Sequence, residues 1–321
     1  MDLFKQLRAK AGKNKRTVIL PESYDKRVLT AVRNIIRNKL ANIILIQTKK
    51  DIPLSPSKDI AIIDINFSSQ FIDEYLRIRR NKNPKLSEED AENELMNPLT
   101  FSCILLKHNF ADAVVAGSAY STSDVLINAI RIIGLPKNNK TVSSFFLFTF
   151  PKEHNLNNRV LAYADSGVVP NPTIEQLSDI AIQTSANYKK LTGIEPRAAF
   201  LSFSTKGSAK DETLDKVIAA YKLTKKRAPK LICDGELQFD AAFVAEVAKR
   251  KNPGGNIKGD ANVFIFPDLN SGNIAYKITE RIGDAIATGP IVQGLAKPVM
   301  DLSRGCTAND IVNMVTIASQ F

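Results

Sequence analysis

Cysteine and histidine are scarce in this 321-residue chain, with three of one (Cys103, Cys233, Cys306) and two of the other (His108, His154), and tryptophan is absent. No Cys-x-x-Cys pair occurs, so neither a disulfide framework nor a Cys/His zinc site is expected. Unpaired thiols fit a reducing compartment, the cytoplasm. No apolar run nears the roughly 18 residues needed to span a bilayer, and the longest candidate, residues 144–150, has the length of a strand. Residues 1–8 start basic but lack the apolar stretch of a secretory signal, so none is expected. The dinucleotide fingerprint GxGxxG, the phosphate loop GxxxxGK[ST], the nucleophile elbow GxSxG and the zinc motif HExxH are all missing. A Ser-His-Asp triad would need His108, in a helical pattern, or His154, in a polar stretch, and neither is placed as a base. Cys306 has no evident partner base for nucleophilic catalysis.

What is present is an ordinary globular composition, 44% hydrophobic and 24% charged, on a chain long enough for two domains with sizeable cores. The net charge of +11 is concentrated at one end. Residues 1–50 carry 13 Lys/Arg against 3 Asp/Glu, and the other residues carry 31 against 30. A basic end fits an anionic partner, and equally a solvated helix face. No basic motif interleaved with aromatics appears there, so neither nucleic acid nor membrane is an expected partner.

Strand and helix signals alternate throughout. Eleven β-branched or aromatic-rich runs read as strands, at 17–21, 42–47, 60–65, 113–116, 144–150, 160–165, 198–204, 231–233, 263–266, 285–287 and 299–302. Helical periodicity covers 24–40, 88–109, 122–133, 173–191, 210–225, 240–250, 272–282 and 308–319, with a break expected at Asn97-Pro98. Alternation of this kind predicts an α/β protein, mainly parallel sheets flanked by helices. Eleven strands are many for one sheet, so two are expected. The polar stretch 135–140 and the segment 294–298 mark the boundaries. They divide the chain into a first domain of 1–140 plus 297–321 and a second of 141–296.

The densest chemistry lies in Asp301-Leu302-Ser303-Arg304-Gly305-Cys306-Thr307-Ala308-Asn309-Asp310, a strand end, a tight loop and a helix start. Such a helix start offers unpaired N–H groups to an anion. Arg304 adds a guanidinium fork, Ser303 a neutral donor and Asp310 a carboxylate that could accept a proton. Thr307-x-x-Asp310 also has the spacing of a capping box, which spacing alone favours over catalysis, and the helix dipole would weaken Asp310 as a base. Four further polar loops follow predicted strands, around 165–173, 201–210 (with Ser204 and Lys206), 234–240 and 266–273. Each could be an ordinary connection. Together they favour a ligand site at the carboxyl edge of the sheets.

Five segments carry a resemblance to the phosphate acetyltransferases (phosphotransacetylases) of the phosphate acetyl/butyryl transferase family. They are ADSGVVPNPT at 164–173, SFSTKGSA at 202–209, DGELQFDAA at 234–242, FPDLNSGNIAYK at 266–277 and GPIVQGLAKPVMDLSRG at 289–305. The resemblance implies two α/β domains of the isocitrate-dehydrogenase-like kind with an active cleft between them, and a homodimer. It implies reversible acetyl transfer between acetyl-CoA and phosphate, giving acetyl phosphate and CoA, with no cofactor beyond these substrates. Ser303 and Arg304 would be catalytic, Asp310 the base, Arg281 a further active-site arginine, and Arg79 a substrate contact, as would Ser121, Thr122, Ser204 and Lys206. Where the family often reads His-Ser-Thr-Ala-Asp-x-x-Arg, this chain reads Tyr120-Ser121-Thr122-Ser123-Asp124-Val125-Leu126-Ile127. Arg131, four residues on from Ile127 and on the same face of a regular helix, is the expected substitute for the missing arginine. Direct attack of the CoA thiolate in a ternary complex is the expected mechanism. A phosphate butyryltransferase and a non-catalytic binding domain on the same fold are the alternatives.

Overall fold

The computed structural model describes residues 3–48 and 52–321. The chain forms two compact units, one built from the chain up to Pro136 together with Leu295–Phe321, the other from Lys137–Gly294.

The first unit opens with α1 (Leu3–Lys13), which the periodicity had not suggested because only Leu3, Leu7 and Ala11 turn inward from a run of lysines. Then come β1 (Thr17–Leu20), α2 (Lys26–Arg37), β2 (Asn42–Gln47), β3 (Ile60–Asp64), a 3-10 turn (Ile65–Phe71), α3 (Ile72–Arg79), α4 (Glu88–Leu95), α5 (Pro98–Lys107), β4 (Ala113–Ala116) and α6 (Thr122–Asn128). The break at Asn97-Pro98 is a helix start. Asn97 accepts hydrogen bonds from the N–H groups of Leu99 and Thr100, and proline occupies the first helical position, where no N–H is needed.

The second unit holds β5 (Ser143–Thr149), β6 (Leu161–Ala164), α7 (Ile174–Thr192), β7 (Arg197–Leu201), α8 (Glu212–Arg227), β8 (Ile232–Leu237), α9 (Phe239–Phe243), α10 (Ala245–Lys251), β9 (Val263–Ile265), α11 (Leu269–Arg281) and β10 (Ile286–Gln293). Its six strands run in the order β10-β5-β6-β9-β7-β8, with β5 antiparallel to both β6 and β10 and the remaining pairs parallel. The aromatic core around Phe146, Phe148, Tyr163 and Phe264 lies against this sheet.

The chain ends back in the first unit, with β11 (Val299–Asp301) and α12 (Ala308–Ala318). The five-stranded sheet there is wholly parallel, in the order β11-β4-β1-β2-β3. From β1 the chain winds one way through β2 and β3, then crosses to the other side for β4. The carboxyl ends of β1 and β4 therefore flank the point where the winding reverses, the crevice where open α/β sheets bind ligands.

Candidate active site

The loops at that reversal are built on buried charge. Glu22, just past β1, is almost fully buried, and its carboxylate accepts the N–H groups of Gly117, Ala119 and Tyr120 in the loop after β4. Asp25 caps α2 and pairs with Arg27 at 2.6 Å. Burial pushes the Asp25 carboxyl up, and the Arg27 side chain and N–H outweigh it, leaving it below its ordinary value. Arg27 then reaches across the sheet edge. Its Nη1 donates to the carbonyls of Arg304 (2.7 Å) and Cys306 (3.0 Å), and its Nη2 to that of Ser118 (2.8 Å).

Arg27 thus holds the main chain of the Ser303–Cys306 turn while leaving its side chains outside. The turn closes with Cys306 N–H donating to the Ser303 carbonyl at 2.9 Å. Ser303 and Arg304 are both exposed. The Ser303 hydroxyl accepts only the Gly305 N–H, at 3.2 Å, and among the described residues the Arg304 guanidinium has no hydrogen-bond or ion-pair partner. A hydroxyl and a guanidinium are thereby presented on a fixed backbone. Cys306 is buried, which pushes its thiol up to about 11, so it is protonated near neutrality.

The Thr307–Asp310 capping box is formed. Asp310 Oδ2 accepts from the Thr307 N–H and hydroxyl, both at 2.8 Å, and the Thr307 oxygen accepts the Asp310 N–H. Asp310 is exposed, and its Oδ1 is free of these bonds. Ser121 and Asp124 make the same box at the start of α6. The next residue, Thr122, is exposed and donates its hydroxyl to Asp301 Oδ2 at 2.7 Å. Tyr120, in the position of the family's histidine, packs its ring against the core of this unit.

Arg79 and Arg131 line one pocket of about 330 Å³, together with Arg77, Lys82 and Lys107 and no acidic side chain. Arg79 is nearly buried and held by Glu94 at 3.2 Å; Arg131 is exposed. The route by which Arg131 arrives differs from a regular helix. α6 stops at Asn128, and Ala129–Ile133 form a π-helical turn ending at Gly134, which has φ of +74°. The wider winding breaks the i, i+4 relation to Ile127.

In the second unit, four of the polar loops border a cavity of about 780 Å³ at the carboxyl ends of β7 and β9, lined by Asn171, Ser202, Phe203, Phe239 and Asp268 among others. Ser204 is fully buried, with its hydroxyl 3.2 Å from Glu236 Oε1 and accepting the Ala209 N–H. Lys206 is hydrogen-bonded to Asp234 and to the Gly235 carbonyl. These two side chains hold their own loop. Arg281, the last residue of α11, is exposed, with Glu280 3.5 Å away.

Glu22, Arg27 and Asp301 were not singled out from sequence. For Glu22 and Arg27 the signal was the run Pro21-Glu22-Ser23-Tyr24-Asp25-Lys26-Arg27, in which Asp25 and Arg27 pair locally while Glu22 forms no ion pair among the described residues; Asp301 stood in the Asp301–Asp310 stretch without a role of its own.

Comparison with known proteins agrees along the whole chain. The profile of the family described as phosphate acetyl/butaryl transferase matches residues 2–319. The phosphate acetyltransferase of Acetivibrio thermocellus is 42% identical over 99% of this chain and 98% of the relative. That of Clostridium acetobutylicum is 41% identical, over 99% and 97%. The crystal structure of a phosphotransacetylase from Streptococcus pyogenes, 36% identical, superposes with a TM-score of 0.92 over 99% of this chain and 97% of that one.

Proposed function

This chain belongs to the phosphate acetyl/butaryl transferase family, and from that premise we propose that it transfers an acetyl group reversibly between coenzyme A and phosphate. One observation carries the reading at the level of chemistry: the Ser303 hydroxyl, which accepts the Gly305 N–H but donates to no group among the described residues, and the Arg304 guanidinium, unpaired among them, stand on a turn whose backbone Arg27 clamps. Preorganised donors of this kind stabilise charge that develops on a carbonyl oxygen in the transition state.

In the direction of thioester formation, the CoA thiol loses its proton and the sulfur attacks the carbonyl carbon of acetyl phosphate. Ser303 and Arg304 receive the growing charge on the carbonyl oxygen. The C–O bond to phosphate then breaks, and phosphate leaves with the bonding pair. Arg281 is assigned to the phosphoryl oxygens. Asp310, through its free Oδ1, is assigned to take the thiol proton. Arg79 and Arg131, with the other cations of the 330 Å³ pocket, are assigned to phosphate groups of CoA. Transfer is direct within a ternary complex, because the buried Cys306 thiol is a poor nucleophile. Nothing in these steps calls for a cofactor beyond the substrates.

A homodimer is part of the proposal. Ile274, Ile278 and Ile282, spaced by four along and just past α11, are 58%, 52% and 81% exposed, an apolar stripe suited to a second copy. A cytoplasmic location is supported by three free cysteines; among the described residues no helix is long and apolar enough to cross a membrane.

The test is the thioester absorbance of purified protein given CoA and acetyl phosphate. A rise that needs both substrates is expected; its absence, with the protein folded, would end the reading. Rates with acetyl-CoA against butyryl-CoA decide the acyl preference, with acetyl expected to be faster.

A further inference from the structure

Of the buried acids that the steps above leave unused, Asp301 alone among the described residues has a buried oxygen without a hydrogen-bond partner. β11 ends on Asp301, 1% exposed and two residues before Ser303. Its Oδ2 receives the Thr122 hydroxyl, and its Oδ1 has no hydrogen-bond partner among the described residues. Nearby donors are committed elsewhere. The N–H groups of Gly117, Ala119 and Tyr120 go to Glu22, and the Leu302 N–H gives its short bond, 2.7 Å, to the Ala116 carbonyl and only a weaker one to the Asp301 carboxyl. Oδ1 faces the bare Cα of Gly117, where a Cβ would lie 2.5 Å away. A buried carboxyl with one open oxygen therefore communicates with the surface through a single exposed hydroxyl, on Thr122.

A threonine hydroxyl has one hydrogen to give. With Asp301 ionised, Thr122 must point that hydrogen inward and can offer only lone pairs to a ligand. With Asp301 protonated, the carboxyl donates to Thr122 Oγ1, and the threonine hydrogen is released outward. We propose that Asp301 is a positioning residue for phosphoryl binding, setting the direction of the Thr122 O–H so that the protonated pair donates to a phosphoryl oxygen and the ionised pair disfavours it. The proposal rests on the acetyl-transfer reading for its ligands, since both acetyl phosphate and CoA carry phosphoryl oxygens.

The equilibrium between the two forms falls in an accessible range. Burial pushes the Asp301 carboxyl up to about 6; the hydrogen bonds from Thr122 and from the Leu302 N–H oppose this and the Glu22 charge adds to it. Other charged or titratable groups on the surrounding elements are Arg27 from α2, bonded to the carbonyls of Ser118, Arg304 and Cys306, and Asp124 of α6, in its capping box. Arg304 and Cys306 lie in the turn, and Asp310 of α12 is tied to Thr307.

The experiment measures Kd for inorganic phosphate and for CoA by calorimetry, and KM for acetyl phosphate and CoA, between pH 6 and pH 8. Wild type is compared with Asp301→Asn, Thr122→Val and Thr122→Ser. The protonated fraction falls from about half to about one part in a hundred over this range, so the affected constant should rise by up to about 50-fold in wild type. Titration of the ligand itself is common to all variants and cancels between them. Asp301→Asn, whose side chain does not titrate, should show a constant that no longer rises with pH. Thr122→Ser should retain the wild-type profile, whereas Thr122→Val should bind weakly and independently of pH. The ligand whose constant moves identifies the phosphoryl group concerned. An Asp301→Asn curve that parallels wild type, or unaltered binding in Thr122→Val, overturns the proposal. Because binding is read without turnover, a protein that makes no thioester would refute the acetyl-transfer reading while the calorimetry still decides the switch.

Discussion

Arg27 and Arg304 are joined by a hydrogen bond from the Arg27 guanidinium to the Arg304 carbonyl, across 277 residues of sequence. The bond leaves both cations in place for different work. Arg27 neutralises Asp25 and anchors three carbonyls, and Arg304 keeps its own side chain available to substrate. Arg27→Ala should therefore lower kcat by about 10²–10³, the cost of losing one well-placed donor, because the turn carrying Ser303 and Arg304 loses its clamp. Arg27→Lys should recover little, since one ammonium cannot hold the carbonyls and Asp25 together. A steady-state assay with near-normal kcat for both variants would show the turn to be rigid without it.

Asp310 has two duties, which separate variants resolve. Asp310→Asn should lower kcat with little change in the acetyl phosphate KM, because an amide cannot accept the thiol proton. Thr307→Ala breaks the cap alone, and should cost roughly 0.5–2 kcal/mol of stability with kcat largely kept. If Asp310→Asn loses stability but not rate, its duty is capping only; thermal unfolding and initial rates measured together make the distinction.

Arg131→Ala should raise the CoA KM with kcat little altered, as expected for an exposed cation lining a phosphate pocket. Arg79→Ala should raise the same KM and also destabilise the fold modestly, since the partly exposed Glu94 loses its guanidinium partner and keeps only the Tyr75 hydroxyl. An unchanged CoA KM in Arg131→Ala would remove that residue from the pocket's function.

The raised carboxyl of Asp301 carries a signed stability prediction. Its folded value, about 6, lies above the ordinary 3.8, so protonated Asp301 is the form the fold favours. Ionisation therefore costs stability, progressively from about pH 4 to about pH 6, with no further loss above that. Asp301→Asn should gain on wild type over the same window, by on the order of 2–3 kcal/mol at pH 7. Urea unfolding at pH 4.5 and pH 7 measures the difference; a gap that does not grow with pH would contradict it.

Much of the architecture was legible because it is local. Runs rich in β-branched or aromatic residues marked the eleven strands of the described residues, and helical periodicity over 173–191 marked α7. The exceptions have physical causes. β10 extends to Gln293 although Gly289-Pro290 reads as a stop, because it is an edge strand whose ladder shifts register between Thr288 and Ile291, where a missing N–H is tolerated. β8 runs through Gly235, where a Cβ would meet Phe200 at 2.7 Å; close packing, not a turn, calls for that glycine. The expected helix over 240–250 is two, α9 and α10, parted at Val244, which is extended.

The sequence by itself determined the alternation of elements, the caps that begin the helices, and the loop of hydroxyl and guanidinium at Ser303–Arg304, since each depends on residues a few positions apart. Only the tertiary structure decided that Glu22 would gather the N–H groups of the loop after β4, that Arg27 would hold the turn after β11, and that Thr122 would meet Asp301. The reason is the strand order β11-β4-β1, which sets side by side three strand ends that are far apart along the chain and leaves their buried polar groups to find partners in one another.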